Sequence, residues 1–312
     1  MKALVVPSFA KVNLGLEVLG TRADGYHELR TLFQTIALHD DVRIVTARES
    51  VVVRCSHPGV PNDATNLAHR AATELRRRAG RRSGIRIEIT KRIPVAGGLG
   101  GGSSNAATVL VALDRLWGLG LGRSGLLPIA RRLGADVPYF LTGGTALGLA
   151  RGDEVYPLRE QIRAQVVVVD PGRPLSTAAV FRRLDAELTP RDNSLTISRF
   201  VSSDSSGAVR FGILANELEN AALGEAPDLA ESTRRMRIIL RKEGAVAAQI
   251  SGSGSAFFGL FFDRRRALAA RDSLHANGFR ALLTPTLSLE QFRARTERAL
   301  SGLRGAQAQV TR

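Results

Sequence analysis

Apolar and polar positions alternate from the start of the chain. Residues 3–9 open as a strand, and Ala10-Lys11-Val12-Asn13-Leu14-Gly15-Leu16 continues the alternation. A period of two places Lys11 and Asn13 on one face and Val12 and Leu14 on the other. The same alternation predicts strands over 42–55 and 84–91. Between them, Asn66 to Ala79 reads as a helix with Leu67, Ala71, Ala72 and Leu75 on one side. Ala106–Leu116 is predicted as a buried helix and 125–133 as a second. A buried strand spans Gln165–Asp170, ended by Pro171-Gly172, and a helix begins at Ser176. Residues 202–207 form a polar loop, and a helix runs from about Asn216 to Lys242. Gln249–Ala256 is a glycine-serine turn between two apolar strands; beyond Thr284 a final strand, a basic helix and an arginine-containing tail are expected.

One stretch breaks the periodicity and organises the rest. Residues 94–108 read Pro-Val-Ala-Gly-Gly-Leu-Gly-Gly-Gly-Ser-Ser-Asn-Ala-Ala-Thr. Gly97, Gly98, Gly100, Gly101 and Gly102 let the backbone take φ > 0 and approach a ligand closely. Ser103, Ser104 and Asn105 are N-cap candidates for a helix that starts where the glycines stop. Free amides at that helix start, with the positive end of its dipole, suit a phosphate. A flexible linker would not run straight into an apolar helix. The P-loop pattern fails, because Gly102 is followed by Ser103 with no lysine. The dinucleotide fingerprint fails on spacing, and the protein-kinase signatures do not occur.

Composition narrows the class. The 312 residues are 44% hydrophobic and 23% charged, as in a globular protein with room for two domains. No apolar run is long enough to span a bilayer, and the N-terminus does not read as a secretory signal. Cys55 is the only cysteine, which excludes an internal disulfide and a cysteine zinc site and fits a reducing, cytoplasmic setting. The formal charge of +15 comes from 44 basic residues, of which only Lys2, Lys11, Lys91 and Lys242 are lysines. Runs such as Arg76-Arg77-Arg78 read as solvated helix ends, and no stacking aromatics interleave them as RNA binding would favour. Where lysine is so scarce, Lys11 on a strand face is a functional candidate. His27, His39, His57, His69 and His275 are scattered, so no protein-only metal site is expected.

Two further segments carry candidate chemistry. Asp24-Gly25 is a turn followed by Tyr26-His27, with Phe33 close behind. Asp136, between apolar residues and just before Pro138, is not a solvated helix position; a turn or N-cap aspartate is the plain alternative.

These segments together resemble the GHMP kinases. Pro7-Ser8-Phe9-Ala10-Lys11-Val12-Asn13-Leu14 is similar to their first motif, although Phe9 separates Ser8 from Ala10. Pro94-x-x-Gly97-Gly98-Leu99-Gly100-x-x-Ser103-Ser104 resembles the second, and Ser251-Gly252-Ser253-Gly254-Ser255 the third. Within that superfamily, Arg22-x-Asp24-Gly25-Tyr26-His27 and Gly134-Ala135-Asp136-Val137-Pro138 resemble the branch that acts on a diphosphocytidyl-linked alcohol. The resemblance covers about residues 4–285.

It implies a two-domain α/β (α+β) architecture: an N-terminal ribosomal-protein-S5-like nucleotide lobe over 1–160, a ferredoxin-like α+β lobe over 161–285, and a C-terminal helix and tail over 286–312. It implies ATP and Mg²⁺ as cofactors and transfer of a phosphoryl group to an alcohol. Asp136 would be the base and Lys11 its cationic partner. Asn66, Pro94 and the run Gly97, Gly98, Leu99, Gly100, Gly101, Gly102, Ser103, Ser104 and Asn105 would bind ATP, although Asn66 suits an N-cap equally well. Asn13, Tyr26, His27, Phe33, Thr177 and Phe181 would bind substrate, with Tyr26 and Phe33 flanking the cytosine and His27 reading its edge. Ala150-Arg151-Gly152-Asp153-Glu154 matches a family hairpin that is taken as structural. The partners implied are small molecules, with no nucleic acid and no membrane, for a monomer or weak homodimer. Two rivals stay open: a homoserine- or mevalonate-type kinase of the same superfamily, and a non-enzymatic basic RNA-binding protein.

Overall fold

Two long strands form the spine of the first lobe. β1 (Ala3–Thr21) and β2 (His27–Ala47) pair antiparallel from end to end, Ala3 opposite Val45 and Thr21 opposite His27. The ladder shifts register between Asn13 and Gly15, a bulge of the kind that re-aims side chains beside a site. The other edge of β2 is shared by β4 (Gly84–Thr90) and β5 (Thr145–Leu149). β3 (Val51–Cys55) runs parallel to β4, and β6 (Glu154–Pro157) pairs with β5. Helices α1 (Leu67–Arg78), α2 (Gly101–Trp117) and α3 (Gly122–Leu133) bury their apolar sides with this sheet, Leu75, Leu110 and Ile129 meeting Ile44 and Ile87 in one core. The short α4 (Val137–Phe140) follows α3. This computed structural model describes residues 3–47, 50–159, 162–187, 197, 211 and 214–301. The polar loop at 202–207 and the tail beyond residue 301 lie outside the described residues.

The second lobe is a four-stranded sheet in the order β10 (Arg280–Pro285), β7 (Gln165–Asp170), β9 (Phe257–Phe261), β8 (Ala247–Ile250). All its neighbours are antiparallel, the ferredoxin-like arrangement. Helices α5 (Thr177–Glu187), α6 (Glu219–Glu225), α7 (Asp228–Lys242) and α8 (Arg264–Ala276) connect its strands. Val166 and Val168 turn one face toward β1, where they share a core with Val12, Leu14, Phe258 and Leu260. Alternation along β1 is thus used twice, with one face packing against the second lobe and the other supplying Lys11 and Asn13. α9 (Leu289–Ser301) returns to the first lobe, its Phe292 ring 5.7 Å from Phe9.

Four local expectations change. The glycine-loop helix starts at Gly101, not Ala106, because Gly100 in the left-handed region (φ 70°) turns the chain directly into it. Ser103, Ser104 and Asn105 are therefore inside the helix and do not cap it. The strand expected over 42–55 is the end of β2 plus a separate β3, and β2 begins as early as His27, directly after the Asp24-Gly25 turn. The helix expected to run to Lys242 is two, parted at Ala226-Pro227; proline disfavours the helical region for the residue before it. The last strand ends at Pro285 and does not follow Thr284, since it is the pairing with β7 that holds it. Among the described residues, no helix is long and apolar enough to cross a membrane.

Candidate active site

The glycine run folds as a cradle. Gly98 and Gly100 both have positive φ, and a Cβ on Gly98 would overlap the carbonyl oxygen of Ser251. That clash explains the glycine, because the loop is pressed against the turn after β8. Ser251 Oγ donates to Gly98 O (3.0 Å) and Ala256 N to Gly97 O (3.1 Å), so the two lobes are tied at the loop itself. The first helical hydrogen bond of α2 runs from Ser104 N to Gly100 O, leaving the amides of Gly101, Gly102 and Ser103 without helical acceptors. They open into a cleft of about 530 Å³ with Lys11, Asp136, Asn66 and Pro94 around it.

Lys11 and Asp136 meet across this cleft, Nζ 3.4 Å from Oδ2. The ammonium is buried, whereas Asp136 is 35% exposed and faces the opening. Lys11 Nζ also donates to Asn13 Oδ1 (2.5 Å), as their shared strand face requires. Asn13 Nδ2 in turn donates to Thr31 Oγ1 (2.7 Å), and Lys11 N donates to Leu99 O (3.1 Å). A cation is thereby held at the foot of the glycine loop from both its backbone and its tip. Asp136 stands at the N-cap position of α4 but makes no side-chain cap bond, which leaves its carboxylate to Lys11 and the cleft.

Behind the loop lies a buried carboxylate that the sequence reading missed. Asp40 accepts from Lys91 Nζ (2.6 Å), Arg92 N (2.8 Å), Ile93 N (2.9 Å) and Asn105 Nδ2 (3.0 Å). Ser104 Oγ donates to Phe9 O and accepts from Ser8 Oγ, so Ser104 and Asn105 point into this support, not toward a ligand cap. Scarcity of lysine singled out Lys11; the same signal applies to Lys91, which lines the cleft. Asp40→Ala strands a buried ammonium and two amides and is expected to cost about 3–5 kcal/mol. Urea unfolding measures this, and an unchanged midpoint would show that the loop does not depend on Asp40.

The second end of the cleft carries the aromatic candidates. Thr177 and Phe181, on α5, line it, and Thr177 Oγ1 lies 2.8 Å from Ser253 Oγ in the third glycine-serine turn. His27 stacks on Phe181 (ring centroids 4.6 Å apart), and its Nε2 lies 2.7 Å from Asp185 Oδ1. Tyr26 sits outside the cleft wall, 54% exposed, with the Arg151 guanidinium 4.8 Å from its ring centroid. Phe33 lines the cleft but is buried, stacked on Tyr139 and 5.5 Å below Lys11 Nζ. Arg151 and Gly152, in the hairpin taken as structural, also line the cleft. Asn66 caps α1 through Ala68 N (2.9 Å) and lines the opposite wall. Tyr139 is locked by its hydroxyl to Thr35 Oγ1 and Gly144 O, and burial pushes its pKa well above the ordinary tyrosine range.

A two-lobed α/β frame with a left-handed glycine loop feeding a helix N-terminus, and a Lys–Asp pair at its foot, is the frame of the GHMP kinases. The family of the GHMP kinases N terminal domain matches residues 66–144, and that of the GHMP kinases C terminal matches 205–280. A 4-diphosphocytidyl-2-C-methyl-D-erythritol kinase from Geobacter sulfurreducens is 40% identical over 288 residues, covering 92% of this chain and 100% of that one. A crystal structure of 4-(cytidine 5'-diphospho)-2C-methyl-D-erythritol kinase superposes with a TM-score of 0.71 at 37% identity, over 90% of this chain and 98% of that one. The homoserine kinase of Cytophaga hutchinsonii shares the fold (TM-score 0.67, 92% and 95% covered) at only 18% identity. The chain belongs to the 4-diphosphocytidyl-2-C-methyl-D-erythritol kinase family.

Proposed function

We propose that the protein transfers the terminal phosphoryl group of ATP to the 2-hydroxyl of 4-diphosphocytidyl-2-C-methyl-D-erythritol, in the supply of isoprenoid precursors. The observation that carries this reading is the Lys11–Asp136 contact at the mouth of the glycine cradle, in one cleft with Thr177 and Phe181. Phosphoryl transfer asks the protein for in-line positioning and charge neutralisation. The amides of Gly101, Gly102 and Ser103 bind the triphosphate, while Asn66 and Pro94 flank the nucleoside. Asp136 accepts the proton of the substrate hydroxyl. Lys11 holds that hydroxyl beside the carboxylate and offsets the charge growing on the oxygen.

Mg²⁺, bound with ATP, would supply charge neutralisation to the transferring phosphates. Among the described residues there is no cluster of three carboxylate, histidine or cysteine side chains to cage a metal. Ser103, which lines the cleft, carries the hydroxyl that would help hold the ion, since Ser104 is engaged with Phe9 and Ser8. The cytosine stacks on aromatic faces at the α5 end, with Tyr26 on the rim and Phe181 within; His27 reads the base edge and Phe33 forms the floor near Lys11.

The test is phosphate transfer to the diphosphocytidyl alcohol against homoserine and mevalonate as acceptors. His27→Ala and Phe181→Ala are each expected to raise KM for the diphosphocytidyl substrate at least about tenfold and leave KM for ATP in place. Transfer to homoserine or mevalonate that survives both substitutions would replace this substrate with another of the same superfamily.

A further inference from the structure

A second cavity of about 310 Å³ lies on the far side of the phosphate-loop helix, between α2, α3 and α9. Its floor is apolar, with Phe9, Ala107, Leu126 and Phe140 all buried and Phe292 closing it from α9. Its rim is charged, and the charges do not balance. Asp114 spends its carboxylate on Leu121 N (3.0 Å) and Gly122 N (3.2 Å), while Glu297 forms a two-pronged pair with Arg115 at 2.7 and 2.9 Å. Two guanidinium groups remain at the mouth. Among the described residues Arg123 donates only to the Val155 carbonyl (3.2 Å), and Arg293 has no ion-pair partner. Both guanidinium side chains line this one cavity, Arg123 from α3 and Arg293 from α9, and burial together with the Arg293 charge holds the Arg123 pKa below its ordinary value. Two like charges converging over an apolar hollow are relieved by an anion, and guanidinium groups favour phosphate or carboxylate oxygens.

We propose that this cavity binds an amphiphilic anion, a phosphorylated or carboxylated molecule with a short alkyl body, and that its occupancy is felt at Asp136. The headgroup pairs with Arg123 and Arg293, and the alkyl body lies on Phe9, Leu126 and Phe140. The volume suits a small ligand, not a protein segment. The route to the active site is one ring thick. Phe140 belongs to the short helix that begins beside Asp136, and a Cβ on Gly100 would lie 2.6 Å from its Cζ. The same ring walls the cavity and packs on the glycine loop. Phe9, on the cavity floor, is on the strand that carries Lys11. The coupling rests on the kinase reading above, but the binding does not.

The experiment titrates the full-length protein calorimetrically with n-octyl phosphate while ADP saturates the phosphate cradle. Inorganic phosphate, n-octanol and phosphatidylcholine–phosphatidic acid vesicles are run in parallel. One saturable site is expected for octyl phosphate, weakened at least about tenfold in R123A/R293A and lost in T296W, because Thr296 on α9 lines the hollow and an indole there fills it. Steady-state assays with the same probe are expected to show kcat falling at saturating ATP. Absence of saturable binding, equal binding of octanol, binding only to vesicles, or full affinity in R123A/R293A would each overturn the site. Saturable binding with an unchanged kcat would overturn the coupling to Asp136.

Discussion

Asp136→Asn is expected to lower kcat for phosphoryl transfer about 10²–10⁴-fold while KM for ATP hardly moves. The amide keeps the size of the carboxylate but cannot take a proton from the hydroxyl. Asp136 is not part of the packed core, so the urea midpoint should stay near that of the wild type. Lys11→Met should reduce kcat comparably, because the buried cation is lost beside the reacting oxygen. Its cost in stability should be about 1–2 kcal/mol: methionine fills the space over Phe33, the bond to Asn13 Oδ1 goes unmade, and Asp136, 35% exposed, loses its cation but keeps water. Steady-state kinetics with varied ATP, alongside urea unfolding, separates the two effects. If Asp136→Asn kept wild-type turnover, the proton would have to leave by another route and the assigned base would be wrong.

Gly98→Ala should have the largest effect on the scaffold. The new methyl group would collide with backbone, the Ser251 carbonyl, and would sit at a φ of +72° that disfavours any side chain. Backbone cannot swing aside as a flexible side chain can. A loss of about 2–4 kcal/mol is expected, with KM for ATP raised because the loop and the third turn part. Gly102→Ala provides the internal contrast. It lies inside α2 with helical φ, and its nearest neighbour would be Leu67 Cδ1 at 3.8 Å, an ordinary contact. Replacing a helical glycine by alanine should stabilise the ligand-free protein by roughly 0.5–1 kcal/mol. Opposite signs in urea unfolding for two glycines of one run would show that contact with the second lobe, not flexibility, is what Gly98 is for. Equal signs would refute that account.

Much of the site was legible because its parts are local patterns. Alternation alone put Lys11 and Asn13 on one face of a strand, and their side chains are bonded to each other. The glycine run, joined to an apolar segment, announced an amide cradle at a helix start. It did not announce where the helix begins, since Ser103, Ser104 and Asn105 have cap chemistry by type and long-range partners in the fold. Ser104 reaches Phe9 O and Asn105 reaches Asp40, contacts that no window of neighbouring residues contains. That a long strand starts at His27, directly after the Asp24-Gly25 turn, was not legible for a similar reason: its strand character comes from pairing with Thr21 across the ribbon.

By itself, then, the order of residues determined what each segment can do: which stretch gives up Cβ atoms, which lysine sits on a strand face, which aspartate is held between apolar neighbours. Periodicity and backbone sterics act over a few residues, and they need no partner to be read. Only the tertiary structure decided which of these segments meet. It brought Asp136 to 3.4 Å from Lys11, pressed Ser251 against Gly98, set Asp40 beneath the loop and placed Arg123 and Arg293 around one hollow. Those contacts join residues far apart in the chain, and their worth depends on burial and direction, which exist only once the first lobe has packed its core and, for Ser251 and Gly98, once the two lobes have met.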